Sequence, residues 1–358
     1  MRVLRISDTI QKIGGVRNII PGKKWLVYDS MAAVCLANRY DTEFFPVPEN
    51  VRFLEPGEIP KRVLVVRCGG WGDLLQLTPA LADLREKTEL WIASTAQYFS
   101  VWDRAGISNI LEFPFGVEAC ENFDVVVPLE GVVENGSDEA KTLHIADIFA
   151  AKLGMKKPSA YKPLCEVSTA ERDSVYRRFP KRGLKRIGIQ LFASSMCRTY
   201  PILKTIDLLH LLAAKYQVFI FSSKNSLPPG IELPEHVIDL SSKLNTMDES
   251  VRVLSTMDCL VAPDSSLIHF AHALDVPAVG LYGPFPWKLR TAHAEKTFAL
   301  TSGRRSCEPC FWHAKGEHFP PNAECAGAGK CLALDDIKPE RVAAKVAETR
   351  SEIGRAHV

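Results

Sequence analysis

Short apolar runs alternate along this chain with longer stretches in which apolar positions return every three or four residues, the marks of strands and of helices. The first series opens at Arg62-Val63-Leu64-Val65-Val66-Arg67, a β-branched run entering a glycine turn, and continues with Leu90-Trp91-Ile92-Ala93 and Phe123-Asp124-Val125-Val126-Val127. Helices are predicted near Pro79 to Glu86, near Gln97 to Arg104 and, as one amphipathic segment, over Thr142 to Leu153. A second series follows the same rhythm. Its strands are Ile187 to Phe192, Val218 to Phe221, Cys259 to Val261 and Pro277 to Gly283; its helices fall near Leu203 to Lys215, Glu249 to Thr256 and Phe270 to Leu274. Such alternation implies parallel sheets covered by helices on both faces.

Gly154 to Leu164, rich in Lys, Pro and Ser, reads as a linker between the two series, and Glu340 to Ile353 as a polar amphipathic helix. Residues 1–60 follow neither series: Lys24 to Asp29 reads as a strand and Met31 to Asn38 as a short helix, in an extension without an assigned role. A length of 358 residues exceeds what one core supports, so two domains are expected.

Composition narrows the class. An apolar fraction of 46% and a charged fraction of 24% are those of a globular protein. A formal net charge of +2, with no long basic run, gives no support to nucleic-acid binding and leaves an acidic or phosphorylated small substrate open. The short basic cluster Lys181-Arg182-Gly183-Leu184-Lys185-Arg186 reads as a solvated domain edge. No apolar stretch is long enough to cross a bilayer, and Met1-Arg2-Val3-Leu4-Arg5 lacks the apolar core of a signal peptide. Six cysteines are scattered, mostly in apolar surroundings, which suits a reducing compartment. A cytoplasmic location is expected, with any membrane contact peripheral.

Three segments carry candidate chemistry. Asp264-Ser265-Ser266-Leu267-Ile268-His269 stands where a parallel strand hands over to a helix, a place where α/β sheets bind ligands through unpaired amides. Asp and Ser are equally ordinary helix caps, so a cap and a ligand site are both open. Cys68-Gly69-Gly70-Trp71-Gly72-Asp73 follows the first strong strand; Gly69, Gly70 and Gly72 allow close approach of a ligand but lack dinucleotide spacing. Asp73 can act there as a base, and Asp73-Leu74-Leu75-Gln76 also fits a capping box. Ser194, Ser195 and Arg198, in the loop after Leu191, suit a diphosphate, with a surface arginine as the plain alternative.

Taken in order, these segments resemble glycosyltransferase family 9, the heptosyltransferase family. The resemblance rests on Gly72-Asp73-Leu74 through Thr78-Pro79-Ala80-Leu81, on Arg198-Thr199-Tyr200-Pro201, and on Asp264 through His269 with Tyr282-Gly283-Pro284, and covers about residues 61–350. It implies an α/β fold of the GT-B type, two Rossmann-like parallel-sheet domains facing a cleft. The implied division is an N-terminal extension 1–60, an acceptor domain 61–165, a nucleotide-sugar donor domain 166–300, a Cys-rich loop 301–335 and a C-terminal helix 336–358. It implies inverting sugar transfer from a nucleotide-diphospho-sugar, ADP-heptose foremost, to a glycan, lipid or protein hydroxyl, lipopolysaccharide core first among them. Through a lipid acceptor it implies peripheral contact at the inner membrane. No catalytic metal is expected. Asp73 takes the place of the general base, Arg198 that of the lysine that stabilises the departing diphosphate, and Asp264, Ser265, Ser266 and His269 that of the donor-binding turn; His269 as a packed helix residue stays open. Three departures stand out: Arg198 for Lys, Ser266 for Gly, and a loop Ser222-Ser223-Lys224-Asn225 without the acidic residue that holds adenosine ribose in some members. A non-catalytic interaction module of the same fold is the alternative from another class, and Asp73 argues against it.

Cys307-Glu308-Pro309-Cys310, Cys325 and Cys331 complete the motifs. One tight pair and two further thiols suit tetrahedral zinc or iron in a loop without periodicity of its own; disulfides or unrelated thiols are the alternatives. His313 and His318 are spare ligands. Protein heptosyltransferases that act on autotransporters, similar to this family, carry such a four-Cys iron site.

Overall fold

The computed structural model describes residues 1–6, 10–13, 16–19, 22–133, 138–181, 183–222, 227–228, 230–303, 305–312 and 324–355. Arg182, Ser223, Lys224, Asn225, His313 and His318 lie outside the described residues. The chain divides into two units, Met1–Leu164 and Cys165–Val358.

The first unit holds a parallel sheet in the order Val125–Pro128, Arg62–Val66, Glu89–Ser94, Ile110–Glu112. In chain order its strands therefore lie fourth, first, second, third. The chain reverses direction of growth between the strands Arg62–Val66 and Val125–Pro128, which makes the gap beyond their C-terminal ends the ligand position of a doubly wound sheet. The helix Trp71–Arg85 leaves the first strand through the glycine turn and runs on past Pro79, two turns earlier than the expected start. Proline leaves the Leu75 carbonyl without its helical donor, and Thr78 Oγ1 replaces it at 2.7 Å. The same hydroxyl accepts the Leu164 amide at 2.8 Å. Thr78→Val, nearly isosteric, strands both backbone groups and is expected to cost about 2–4 kcal/mol; a denaturant midpoint equal to that of the unaltered protein would refute the assignment.

The helix expected over Thr142 to Leu153 runs over Ile145–Lys152, and a separate short helix, Asp138–Thr142, precedes it. His144 is extended between them and its Nδ1 accepts the Ala146 amide at 3.3 Å, capping the second. Residues of the N-terminal sixty build an antiparallel sheet in the order Thr42–Phe45, Arg2–Ile6, Lys24–Val27, Phe115–Gly116. Leu4, Ile6 and Leu26 from this sheet, with Tyr28 just after it, share one core with Leu64, Val66, Ala93 and Val126 of the parallel strands. The N-terminal residues are thus built into the core of this unit.

The second unit is a six-stranded parallel sheet in the order Val237–Asp239, Gln217–Phe221, Arg186–Gln190, Cys259–Pro263, Ala278–Leu281, Thr297–Leu300. In chain order this is 3-2-1-4-5-6, the dinucleotide-fold arrangement, with its switch point between Arg186–Gln190 and Cys259–Pro263. The C-terminal helix Pro339–Arg355 buries Val342, Val346 and Thr349, spaced by four and three, against this unit. Arg186 corrects one expectation. It is fully buried, donating to Thr256 Oγ1 at 3.0 Å and to the Phe179 carbonyl, with the Tyr176 and Phe219 rings against it. Aromatic faces and aligned acceptors replace the water that a solvated edge would supply.

Candidate functional site

At the switch point of the first unit, Gly70 has φ +64 and caps the helix by position without a side chain. A Cβ on Gly70 would lie 2.3 Å from Asp73 Oδ2, so the aspartate is folded back over the glycine, and any side chain there would strain the backbone and displace the carboxylate. Asp73 lies in the first turn of the helix, behind the cap position that Gly70 holds, so it is not the cap residue that Asp73-Leu74-Leu75-Gln76 suggests. Its Oδ2 accepts Arg67 Nη2 at 3.1 Å, with 29% of the side chain exposed against 1% for Arg67. Arg67 also donates from Nη1 to the Leu129 carbonyl at 2.7 Å. That bond ties the loop after the first strand to the loop after the fourth, across the switch point. Trp71 and Tyr98 meet edge to face at 4.8 Å beside the turn. Burial pushes the Cys68 thiol up to about 12, so it stays a thiol at neutral pH. Burial also raises Tyr28.

At the switch point of the second unit, the short turn Met196–Arg198 brings Arg198 to the Asp264 loop. Arg198 donates to the Asp264 carbonyl at 3.1 Å and to Ser194 Oγ at 2.6 Å, and its Nη1 lies 3.8 Å from Asp264 Oδ2. Arg290 approaches the same oxygen from the other side at 3.7 Å. Asp264, 5% exposed, thus lies between two guanidiniums. Ser265 stands in the cap position of the helix Ser266–Ala273 but does not cap it, because its hydroxyl bonds Gln190 Oε1. Without a cap bond from Ser265, the first amides and the positive dipole end of this helix are suited to a ligand. Ser266 opens the helix and His269 sits one turn in, 6% exposed. Ser195 is turned inward: it is 2% exposed and its Oγ is 2.9 Å from Cys197 Sγ.

Ser194, Arg198, Asp264, Ser265 and Ser266 are brought together, and Asp73 is set with Gly70 in the other unit. Sequence reasoning missed Arg67, Gln190 and Arg290. Arg67 and Gln190 carried a usable signal, a polar residue closing an otherwise apolar strand at its C-terminal end; Arg290 carried none.

Cys307 and Cys310 are exposed, Cys325 is half-buried and Cys331 buried, all as free thiols. Among the described residues no group of three or more His, Cys, Asp or Glu is gathered as a metal site. Burial pushes Cys331 up to about 12, with Cys325 and Cys310 adding to the rise. Cys325 Sγ accepts the Leu332 amide at 3.4 Å, as thiolate ligands of metals commonly do.

Two parallel α/β units, each with its polar loops at the point where strand order reverses, define a fold of the GT-B type. The chain belongs to glycosyltransferase family 9 (heptosyltransferase), whose sequence pattern matches residues 139–318, half of its length. It is 28% identical over 140 residues to lipooligosaccharide heptosyltransferase 2 of Haemophilus influenzae, a match covering 34% of this chain and 40% of that relative. Among solved structures it is similar to the E. coli ADP-heptose LPS heptosyltransferase II, with a TM-score of 0.61 at 17% identity over 82% of this chain and 99% of that one. It is similar also to the iron-containing dodecameric glycosyltransferase TibC of enterotoxigenic E. coli, with a TM-score of 0.61 at 14% identity over 88% and 82%. Among the described residues no helix is long and apolar enough to cross a membrane.

Proposed function

We propose that this protein is an inverting glycosyltransferase that moves a sugar, heptose foremost, from a nucleotide-diphospho-sugar to a hydroxyl acceptor. The observation that carries the reading is the charge at the second switch point: two arginines against one aspartate, beside an uncapped helix N-terminus, a setting that favours a diphosphate. Family membership supports the reaction class. ADP-heptose as donor and lipopolysaccharide core as acceptor are supported by the names of the relatives.

In the proposed reaction the Asp73 carboxylate takes the proton of the acceptor hydroxyl as its oxygen bonds the anomeric carbon. The bond from that carbon to the diphosphate oxygen breaks, and its electron pair leaves with the diphosphate. Arg198 and the amides that open the helix Ser266–Ala273 stabilise the departing charge, Ser194 holds Arg198, and Ser265, Ser266 and His269 line the donor turn. Gly69, Gly70 and Gly72 leave room at the acceptor loop. No metal takes part in this step. Cys307, Cys310, Cys325 and Cys331 are proposed to hold a structural zinc or iron that cross-links the C-terminal loop.

That four-thiol segment favours a second acceptor class, a protein hydroxyl. Both readings place the protein in the cytoplasm, a lipid-linked acceptor being met at the inner membrane surface. The test is incubation with ADP-heptose and either heptose-free lipooligosaccharide or a serine-rich autotransporter polypeptide, reading ADP release and the anomeric configuration of the product. Acceptor-dependent release with inversion is expected. Retention of configuration would contradict the mechanism, and no transfer from any nucleotide-diphospho-sugar would contradict the function.

A further inference from the structure

Arg290 lies outside every motif that carries the family resemblance, in the short helix Lys288–Thr291 that follows the fifth strand of its sheet. Its side chain is 14% exposed. The guanidinium stacks over the Phe285 ring at 4.6 Å, and its Nε stands 3.7 Å from Asp264 Oδ2, beyond hydrogen-bond range. Among the described residues the five N–H donors of Arg290 make no hydrogen bond. On the facing side, Asp264 Oδ2 and Arg198 Nε are buried and also lack hydrogen-bond partners. Unspent donors and acceptors at such burial are costly, and a planar fork held by an aromatic face is suited to a phosphate.

A buried carboxylate at a diphosphate site also needs explaining, because it repels the ligand. Its position between Arg198 and Arg290 supplies the reason: Asp264 is the counter-ion that keeps two guanidiniums together while no ligand is bound. We infer that Arg290 is a second diphosphate-binding residue, its terminal nitrogens donating to phosphate oxygens of the donor, with Asp264 positioning it. Arg198 and Arg290 then share the charge of the diphosphate. This inference rests on the donor site of the proposed function.

Calorimetric titration of ADP and of AMP into the unaltered protein, Arg290→Gln and Arg290→Lys separates the two ideas. The unaltered protein is expected to prefer ADP. Arg290→Gln is expected to lose about tenfold or more in ADP affinity and less than threefold in AMP affinity, so that the preference collapses. Arg290→Lys, which keeps charge without the fork, is expected to fall between and guards against a variant that does not fold. An unchanged ADP to AMP ratio in either folded variant would overturn the inference and leave the proposed function standing. Absence of diphosphate binding to the unaltered protein would overturn both.

Discussion

Asp73→Asn is expected to lower the rate of sugar transfer by about 10³-fold or more while leaving nucleotide affinity within twofold. The amide has the size of the carboxylate and can still accept from Arg67 through its oxygen, so the turn over Gly70 is kept. What is lost is the ability to take a proton, and positioned bases contribute typically about 10²–10⁴-fold. A loss of 10³ is about 4 kcal/mol of transition-state stabilisation. Because the proposed donor residues belong to the other unit, the effect falls on turnover and not on nucleotide binding. Steady-state rates and calorimetry on the same preparation decide it. A variant that turns over within tenfold of the unaltered protein would remove Asp73 from the chemistry, and one that loses nucleotide binding would show a fault in the fold.

Arg67→Met should produce the largest stability change among substitutions near the turn. Arg67 is 1% exposed, donates to the Leu129 carbonyl at 2.7 Å and to Asp73, and lies over the Phe149 ring at 5.6 Å. Methionine fills much of the volume but leaves a buried carbonyl and a half-buried carboxylate without their cation. Removal of one partner from such an arrangement costs about 3 kcal/mol, reduced from the fully buried case because Asp73 keeps contact with water. Chemical denaturation reads this loss. Transfer by the folded fraction should also fall, by about tenfold or more, because the aspartate then loses the cation that holds its Oδ2. A variant with stability within 1 kcal/mol of the unaltered protein would show that Arg67 holds neither the loop nor the base.

The alternation of strands and helices was readable because a β-branched run such as Val63 to Val66 has few other stable conformations. Strand order was not, since it depends on contacts far apart in the chain, and the switch points that gather the site follow from it. The N-terminal sixty residues resisted reading for the same reason: their sheet is completed by Phe115–Gly116, which no local pattern connects to Lys24–Val27. The helix start at Trp71 was obscured by Pro79, whose missing donor is replaced by Thr78. The helix Thr169–Arg178 was overlooked although Ser168 and Glu171 form a capping box that the sequence spells out. At the donor turn, motif order pointed to Arg198 and Asp264. Arg290 became visible only once the fold set it against Asp264.

The most direct measurement is a thermal-shift panel of ADP, GDP, UDP, CDP and dTDP on the unaltered protein and on Arg198→Ala. A nucleotide at 100 times its dissociation constant stabilises the folded state by about 2.7 kcal/mol. The account predicts that at least one diphosphate raises the melting temperature of the unaltered protein, and that Arg198→Ala, itself folded, loses most of that rise. No shift with any of the five, or an equal shift in Arg198→Ala, would contradict a diphosphate site at the switch point of the second unit.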